Sequence, residues 1–176
     1  MDAPSKYYPA IKTFMLANEL LGATVQNLRA DSGESVENIV FWAGHVEHET
    51  AFITQLIVPR GPGVYREAYY LRVDDEVIAA LCELLDPPRV VVLAQVHTHL
   101  GAAFHSVTDD QFSFDTPGYL SVVVPRGGRE GASSWRDWSF NECLGHGEFR
   151  ELDRAEVSQR FVTKQGAPFE IVELRR

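Results

Sequence analysis

The sequence is poor in cysteine and contains no long apolar run. Its two cysteines, Cys82 and Cys143, lie far apart and form no Cys-x-x-Cys pattern, so a disulfide framework is not indicated. No stretch approaches the length of a membrane span, and the first residues lack the charged and apolar regions of a signal peptide. We therefore expect a soluble protein in a reducing compartment, the cytoplasm.

Basic residues are also scarce. The chain has 16 lysines and arginines against 25 aspartates and glutamates, which gives a formal net charge of -9. A protein that binds nucleic acid normally carries a basic face, so this class of function is disfavoured. The acidic balance is compatible with a basic partner or substrate tail, although solubility explains it equally well.

The sequence patterns of several enzyme classes are missing. No G-x-S-x-G or P-loop pattern occurs, and neither cysteine has a histidine at the spacing of a nucleophilic pair. The run His45-Val-Glu-His48-Glu49 is followed by Thr50, Ala51 and Phe52, so the H-E-x-x-H motif of zinc proteases is absent. We interpret this run as the solvated turn of a hairpin.

The length and hydrophobic periodicity of the chain predict one α/β (α+β) domain over residues 1–176. An apolar content of 45% and a charged content of 23% are typical of a soluble globular protein with its own core. Apolar residues at helical spacing predict a helix over 12–29 and a second helix after Asp74 or Asp75, in which Cys82 is a buried thiol. Short apolar runs predict strands over 37–46, 51–58, 89–99, 119–124, 135–144, 148–151 and 169–174, with 153–162 either helix or strand.

Two histidines stand at the end of the most apolar of these strands. His97 and His99 are two residues apart, so on a strand they share one face about 7 Å apart, a span that one metal ion can close. We expect this face to carry Val91, Leu93, Gln95, His97 and His99, and the opposite face Val90, Val92, Ala94 and Val96. Asp109, in the first turn of a helix after the strand, is the candidate third ligand; three ligands leave a position open for water.

The residues of this motif also have simpler interpretations. A His-x-His pair arises by chance, and Ser106-Val-Thr-Asp109 fits the capping box of a helix, which needs no metal. The two functions of Asp109 do not exclude each other. A hydrolytic metal site needs a general base, and Glu37 at the start of a buried strand is the candidate, with a solvated strand-start residue as the alternative.

Together these residues resemble the signature of the JAMM (MPN-plus, Mov34/JAB) metalloproteases. The order fits: Glu37 opens a strand that runs to Gly44, then comes His97-x-His99, then Ser106-x-x-Asp109. The resemblance implies a curved mixed β-sheet flanked by helices, a JAB/MPN core of the cytidine deaminase-like kind. It implies Zn²⁺ bound by His97, His99 and Asp109, Glu37 as the catalytic base, and Ser106 as a donor to the oxyanion.

The sequence departs from the family pattern at three places. Leu100 and His105 replace two usual prolines, Val40 stands where glycine is frequent, and the segment between His99 and Ser106 is one residue shorter than in the commonest form. This form is similar to the JAB proteins of bacterial ubiquitin-like conjugation (Bil antiphage) operons. His105 would then contact a ligand or the substrate, or alternatively face solvent. Asp110 is the other nearby carboxylate, but Asp109 keeps the spacing.

The resemblance implies an isopeptidase or peptidase that cuts after the glycine tail of a ubiquitin-like protein, in deconjugation or precursor maturation. Its partners would be that protein, its conjugates and the E1- and E2-like proteins of the same pathway, with no nucleic acid and no membrane. The loops 59–70 and 125–134 are the candidate walls of the substrate groove. The alternatives are a catalytically silent MPN scaffold and a JAB peptidase that processes a sulfur-carrier protein.

Overall fold

A mixed β-sheet with helices packed against it organises the molecule. The computed structural model describes residues 10–30, 35–68, 70–85, 89–106, 109 and 114–175. The helices are α1 (Asn18–Ala30), α2 (Asp75–Leu84) and α3 (Arg154–Arg160), and two short 3-10 helices span Pro125–Gly128 and Ala132–Asp137. The strands are β1 (Thr13–Ala17), β2 (Ile39–Glu47), β3 (Thr50–Arg60), β4 (Val64–Glu67), β5 (Tyr70–Val73), β6 (Val91–Thr98), β7 (Leu120–Val124), β8 (Ser139–Gly145), β9 (Glu148–Glu151), β10 (Phe161–Lys164) and β11 (Glu170–Arg175).

The main sheet combines parallel and antiparallel pairs. Its order is β10-β1-β3-β2-β6-β7-β8-β9, and β11 also pairs with β3. Four pairs are antiparallel: β2–β3, β2–β6, β7–β8 and β8–β9. Four pairs are parallel: β6–β7, β1–β3, β1–β10 and β11–β3. β4 and β5 form a separate hairpin. The predicted fold class, a curved mixed β-sheet flanked by helices, is confirmed.

Two apolar clusters cover the central strands. One contains Trp42 and the buried residues of α1, and the other contains Phe41 together with Val77 and Leu81 of α2. Because Phe41 and Trp42 are neighbours in β2 and belong to different clusters, this strand is buried on both faces, as its sequence predicts.

A β-bulge interrupts β6 and changes the predicted alternation of its side chains. Trp42 pairs with Ala94 and Ala43 with Val92, so Leu93 is the extra residue. Val91 and Leu93 therefore pack in the same cluster as Val96, not on the face of His97. The prediction of one uninterrupted alternation along this strand is wrong, since a bulge exchanges the two faces on either side of it.

The predicted first helix begins six residues late. Residues 13–17 form β1, which lies between β10 and β3 with Phe14 and Leu16 buried, and α1 starts only at Asn18. Both partners of β1 are distant in sequence, so the local periodicity could not distinguish a short strand from a helical turn. The predicted loop through Tyr65 and Tyr70 is also wrong in part, because it contains the β4–β5 hairpin.

Three smaller predictions need correction. Cys82 is exposed rather than buried, because it lies outside the Val77–Leu81 stripe of α2. The strand predicted over 135–144 begins at Ser139, after a 3-10 helix. The segment 125–134, predicted to be a loop, begins with a 3-10 helix, and its Gly128 is buried where a Cβ atom would contact α1.

Three stretches for which the sequence predicts a structure fall outside the described residues. They are 31–34, where Ser32-Gly33 predicts a turn, 86–88, where two prolines predict the end of the second helix, and most of the helix predicted after Ser106. Among the described residues, no helix is both long enough and apolar enough to span a lipid bilayer.

The approach of β3 to β2 at Gly44 yields a stability prediction. A Cβ atom at Gly44 would overlap the backbone carbonyl of Phe52, beside a bulge in the β2–β3 pairing. We expect Gly44→Ala to lower the free energy of unfolding by about 3 kcal/mol or more. Gly22→Ala is the matched control: it meets no atom within 4 Å in α1 and should stabilise by about 0.5–1 kcal/mol. Urea unfolding of both variants measures this; equal stabilities would contradict it.

A charge cluster near the ends of the chain predicts a pH dependence of stability. Arg160 donates to both carboxylate oxygens of Glu142 and to the Ile11 carbonyl, and Arg150 also binds Glu142. Burial would raise the pKa of Glu142, but the two guanidiniums hold it below its usual value. Its stabilising effect is therefore present above the unfolded-state pKa and is lost as pH falls through the folded-state pKa.

We expect Glu142→Gln to destabilise the protein by about 1–2 kcal/mol at neutral pH. The difference from the wild type should shrink steadily as the pH of a urea titration is lowered below about 4.5. A difference that is constant from pH 7 to pH 3 would contradict this assignment.

Candidate metal centre and its cleft

The end of β6 brings both histidines to one edge of the sheet and holds their backbone there. His97 lies opposite Val123 in the parallel pairing with β7. Beyond the strand, the His99 N–H donates to the Val124 carbonyl at 3.0 Å, and the His99 carbonyl accepts from the Gly127 N–H at 2.8 Å. The backbone of the second histidine is therefore as firmly held as that of the first.

The register between β2 and β6 places Glu37 beside these histidines. Ile39 pairs with His97, and Thr98 donates its N–H to the Asn38 carbonyl at 3.0 Å, so continuing this register sets Glu37 against His99, and both residues line one cleft. Glu37 is 9% exposed. Burial raises the pKa of its carboxyl; His99 opposes this shift and Asp109 adds to it. The alternative of a solvated strand-start residue is wrong.

Ser106 and Asp109 form the capping box that their spacing predicts. The Ser106 N–H donates to Asp109 Oδ2 at 2.7 Å, and the Asp109 N–H donates to Ser106 Oγ at 3.3 Å. Asp109 is in helical conformation. Its carboxylate also faces the two histidines, so helix capping and the candidate ligand function occur together in one residue.

His97, His99 and Asp109 form a group that could hold a metal ion, as the spacing predicts. One ligand atom from each lies within 4.8 Å of the others. His97 Nε2 is 3.2 Å from Asp109 Oδ1, and His99 Nε2 is 3.6 Å from Asp109 Oδ2. These separations are close to the distance of about 3.3 Å expected between ligands of a tetrahedral ion with bonds of about 2 Å.

The surroundings of His97 fit a metal ligand. The residue is 2% exposed, and neither ring nitrogen has a hydrogen-bond partner within the described part of the chain. Its contact with Asp109 is short but lacks the geometry of a hydrogen bond. A buried imidazole without a partner is destabilising, and an ion on Nε2 would remove that penalty.

The protonation states of the group also suit metal binding. Burial lowers the pKa of His97, so its ring is neutral near pH 7. Burial alone would raise the pKa of Asp109, but the two histidines and the Ser106 N–H bring it well below its usual range. For His99, burial lowers the pKa, but the Asp109 and Glu37 carboxylates raise it overall. A bound cation would interact with these carboxylates in place of a protonated His99 ring.

A cleft of about 300 Å³ opens above the three candidate ligands. Its polar floor includes Glu37 and Ser106, and its other side is apolar; the apolar lining residues are Ile39, Tyr70, Leu71, Val73, Leu100 and Phe104. Phe104 is 55% exposed and packs edge-on against the His99 ring at 5.0 Å. An extended chain with small side chains could reach the floor between these walls.

The two predicted groove loops lie at different places. Tyr70, Leu71 and Val73 of the β4–β5 hairpin line this cleft. The segment 125–134 instead lines a neighbouring cavity of about 540 Å³ against α1, and Leu100 borders both. Leu71 and Val73 were not predicted as wall residues, although their alternation with Arg72 is the pattern of a half-buried strand.

His105 lies beside Asp109 and is largely shielded from solvent. Its side chain is 11% exposed, its Nδ1 is 4.0 Å from Asp109 Oδ2, and its ring packs against Phe149 with centroids 4.6 Å apart. The alternative that it faces solvent is therefore wrong. The cluster from His45 to Glu49 lies at the end of the β2–β3 hairpin, as predicted, but only His48 and Glu49 form the exposed turn, and residues 45–47 still belong to β2. Asp110 falls outside the described residues.

Known proteins similar to this chain were found by sequence and by structure. No model of a known protein family matches the sequence. The chain is 28% identical over 122 residues to a probable metalloprotease, y4jG, of Sinorhizobium fredii, covering 68% of this chain and 75% of that protein. The site just described therefore lies in a chain similar to a probable metalloprotease.

Two solved structures differ in how well they superpose on this fold. The protein DSY2949 from Desulfitobacterium hafniense superposes with a TM-score of 0.58 at 11% identity, covering 87% of this chain and 94% of that one, which shows a common fold. A JAB1/MPN domain protein from Archaeoglobus fulgidus gives a TM-score of 0.45 at 12% identity, covering 85% and 98% of the two chains, a value too low to establish a common fold.

Removal of single histidines tests the metal centre directly. We expect the protein purified with zinc to hold about one ion per chain, and His97→Ala and His99→Ala each to reduce this severalfold or more, because two remaining ligands bind weakly. His45→Ala is the control, since this histidine stacks on Phe52 in a hairpin outside the site. Elemental analysis after dialysis gives the stoichiometry; full occupancy of the His97 variant would contradict the assignment.

Proposed function

We propose that this protein is a zinc-dependent peptidase of the JAMM/MPN-plus type that cleaves after the glycine tail of a ubiquitin-like protein. The observation that carries the proposal is the position of Glu37 opposite His99, in the same cleft as His97, Asp109 and Ser106. A base, three candidate ligands and a hydroxyl donor are the parts that metal-assisted hydrolysis of an amide requires.

Each residue has a defined part in the reaction. Zinc held by His97, His99 and Asp109 would act as a Lewis acid and would lower the pKa of water. Glu37 accepts a proton from the attacking water, whose oxygen forms a bond to the carbonyl carbon of the substrate. The Ser106 Oγ–H donates to the oxygen that becomes negative. When the C–N bond breaks, Glu37 returns its proton to the leaving amine, which leaves a carboxylic acid and a free amine.

The hydrogen-bonding pattern of Ser106 supports its part. Its Oγ uses a lone pair to accept the Asp109 N–H, and this leaves the hydroxyl proton available for a substrate oxygen. The carboxylate of Glu37 is held in a buried environment that raises its pKa. A raised pKa makes a carboxylate a better proton acceptor near neutral pH.

The cleft supports an extended, glycine-rich substrate. Tyr70, Leu71 and Phe104 border a cleft of about 300 Å³ whose floor includes Glu37 and Ser106. A chain without side chains near the scissile bond can bring its backbone close to such a floor. From the His-Thr-His and His-Ser-x-x-Asp form of the motif, we also propose that the protein acts in a pathway of bacterial ubiquitin-like conjugation. Its partners there would be E1- and E2-like proteins, and the pathway would have an antiphage role.

The test is cleavage of a linear fusion in which a ubiquitin-like domain ending in Gly-Gly precedes a reporter protein. We expect zinc-dependent cleavage after the second glycine, stopped by a chelator and restored by zinc. Glu37→Gln should lower kcat by about 100-fold or more without releasing zinc, because only the base is lost. Glu47→Gln, an exposed carboxylate at the far end of β2, is the matched control.

Three outcomes would contradict the proposal. Equal activity of wild type and Glu37→Gln would exclude Glu37 as the base. A zinc-loaded wild type that cleaves none of the fusions would favour the scaffold alternative, and cleavage confined to sulfur-carrier fusions would favour the sulfur-carrier alternative.

A further inference from the structure

Asn38, the residue after the proposed base, joins three elements of the fold. It is 2% exposed, and its side chain forms four hydrogen bonds. The Oδ1 atom accepts from Arg66 Nε at 2.7 Å and from the Ile39 N–H at 2.9 Å. The Nδ2 atom donates to the carbonyls of Leu28 at 3.0 Å and Asn27 at 3.4 Å, at the end of α1. Asn38 thus connects β2, α1 and β4.

The backbone around Asn38 is held from both sides. The Asn38 N–H donates to Thr98 Oγ1 at 2.9 Å, and the Thr98 N–H donates back to the Asn38 carbonyl. Thr98 is the residue between the two histidines. On the other side, the Glu37 N–H donates to the carbonyl of Glu67, the last residue of β4, at 2.9 Å. Glu37 therefore lies between the metal-site strand and the β4–β5 hairpin.

Arg66 connects this network to the wall of the cleft. Besides Asn38, its guanidinium binds the carbonyls of Pro59 at 2.9 Å and Val64 at 3.4 Å. Arg66 is the direct cross-strand partner of Leu71, which lines the cleft. Residues directly opposite in an antiparallel pair project to the same face. A substrate that contacts Leu71 therefore touches the hairpin beside the residue that holds Asn38.

We propose that Asn38 and Arg66 are positioning residues for Glu37, and that they make its placement dependent on the β4–β5 hairpin, the wall that contacts the substrate. The inference rests on the proposed function, since it gives Glu37 the part of the base. A network that served only to cap α1 would need the Asn38 amide nitrogen and nothing further. Here Asn38 Oδ1, the Glu37 N–H and the Arg66 fork all join the base to the hairpin.

The test is a double-mutant cycle with Arg66→Ala, Glu37→Gln and the combined variant, assayed on the same fusion with zinc bound. If Arg66 acts through Glu37, Arg66→Ala lowers kcat about tenfold or more with KM within about threefold, and adds no further loss to Glu37→Gln. Arg72→Ala is the matched control: Arg72 is in the same hairpin but binds Asp74 and the Tyr65 ring instead. Its kcat should stay within about twofold of the wild type.

A second measurement does not depend on activity. Amide hydrogen exchange in the zinc-free protein should be about tenfold faster at Glu37 and Ile39 in Arg66→Ala than in the wild type or Arg72→Ala. Their N–H groups donate to the Glu67 carbonyl and to Asn38 Oδ1, and Arg66 no longer holds these acceptors in place. Arg66→Lys, which keeps the charge but lacks the planar fork, should show the same effects and serves if Arg66→Ala does not fold.

The outcomes separate this inference from the proposed function. Three results would overturn the positioning role while the wild type is active and the peptidase proposal stands. They are additive losses in the cycle, a rise in KM alone in Arg66→Ala, and amide exchange in Arg66→Ala that equals that of the wild type. A zinc-loaded wild type that cleaves no fusion would overturn the peptidase proposal, and with it the part given to Arg66.

Discussion

The pairing of Ile39 with His97 is the constraint on which the site depends. Between bulges, one pair of an antiparallel ladder fixes its neighbours, so this register sets Asn38 against Thr98 and Glu37 against His99. A shift by one residue would turn Glu37 to the opposite face of the sheet, away from the histidines. The buried apolar residues on both faces of β2 prevent such a shift, because Phe41 and Trp42 would have to exchange clusters.

The local parts of the site could be predicted from the sequence. His97 and His99 line one cleft because they are two residues apart at the end of β6, and Ser106 and Asp109 bond each other because of their three-residue spacing. Its place at the start of a buried strand made Glu37 a candidate, but its pairing with the histidine motif depended on the family resemblance, since nothing local joins it to residues sixty positions later. The hydrogen bonds that join Glu37 and Asn38 to the β4–β5 hairpin were not predicted, because they require knowledge of which strands pair.

The errors in the predicted fold have the same origin. Residues 13–17 were assigned to a helix because their strand partners, β3 and β10, are distant in the chain. The alternation along β6 was misjudged because Leu93 forms a bulge against β2, and a bulge leaves no clear mark in a run of valine, leucine and alanine. Where burial on both faces removes the contrast between polar and apolar positions, periodicity carries little information about side-chain direction.

The reciprocal bonds between Ser106 and Asp109 have a consequence for the exchange of the ion. Because the Ser106 N–H already holds Asp109 Oδ2 and contacts with β7 already hold the backbone of His97 and His99, the candidate ligands are preorganised without an ion. Most of the entropy of ordering the ligands is lost during folding rather than during binding. The metal-free and metal-bound proteins should then share one backbone, and an ion could leave and return without any part of the chain refolding.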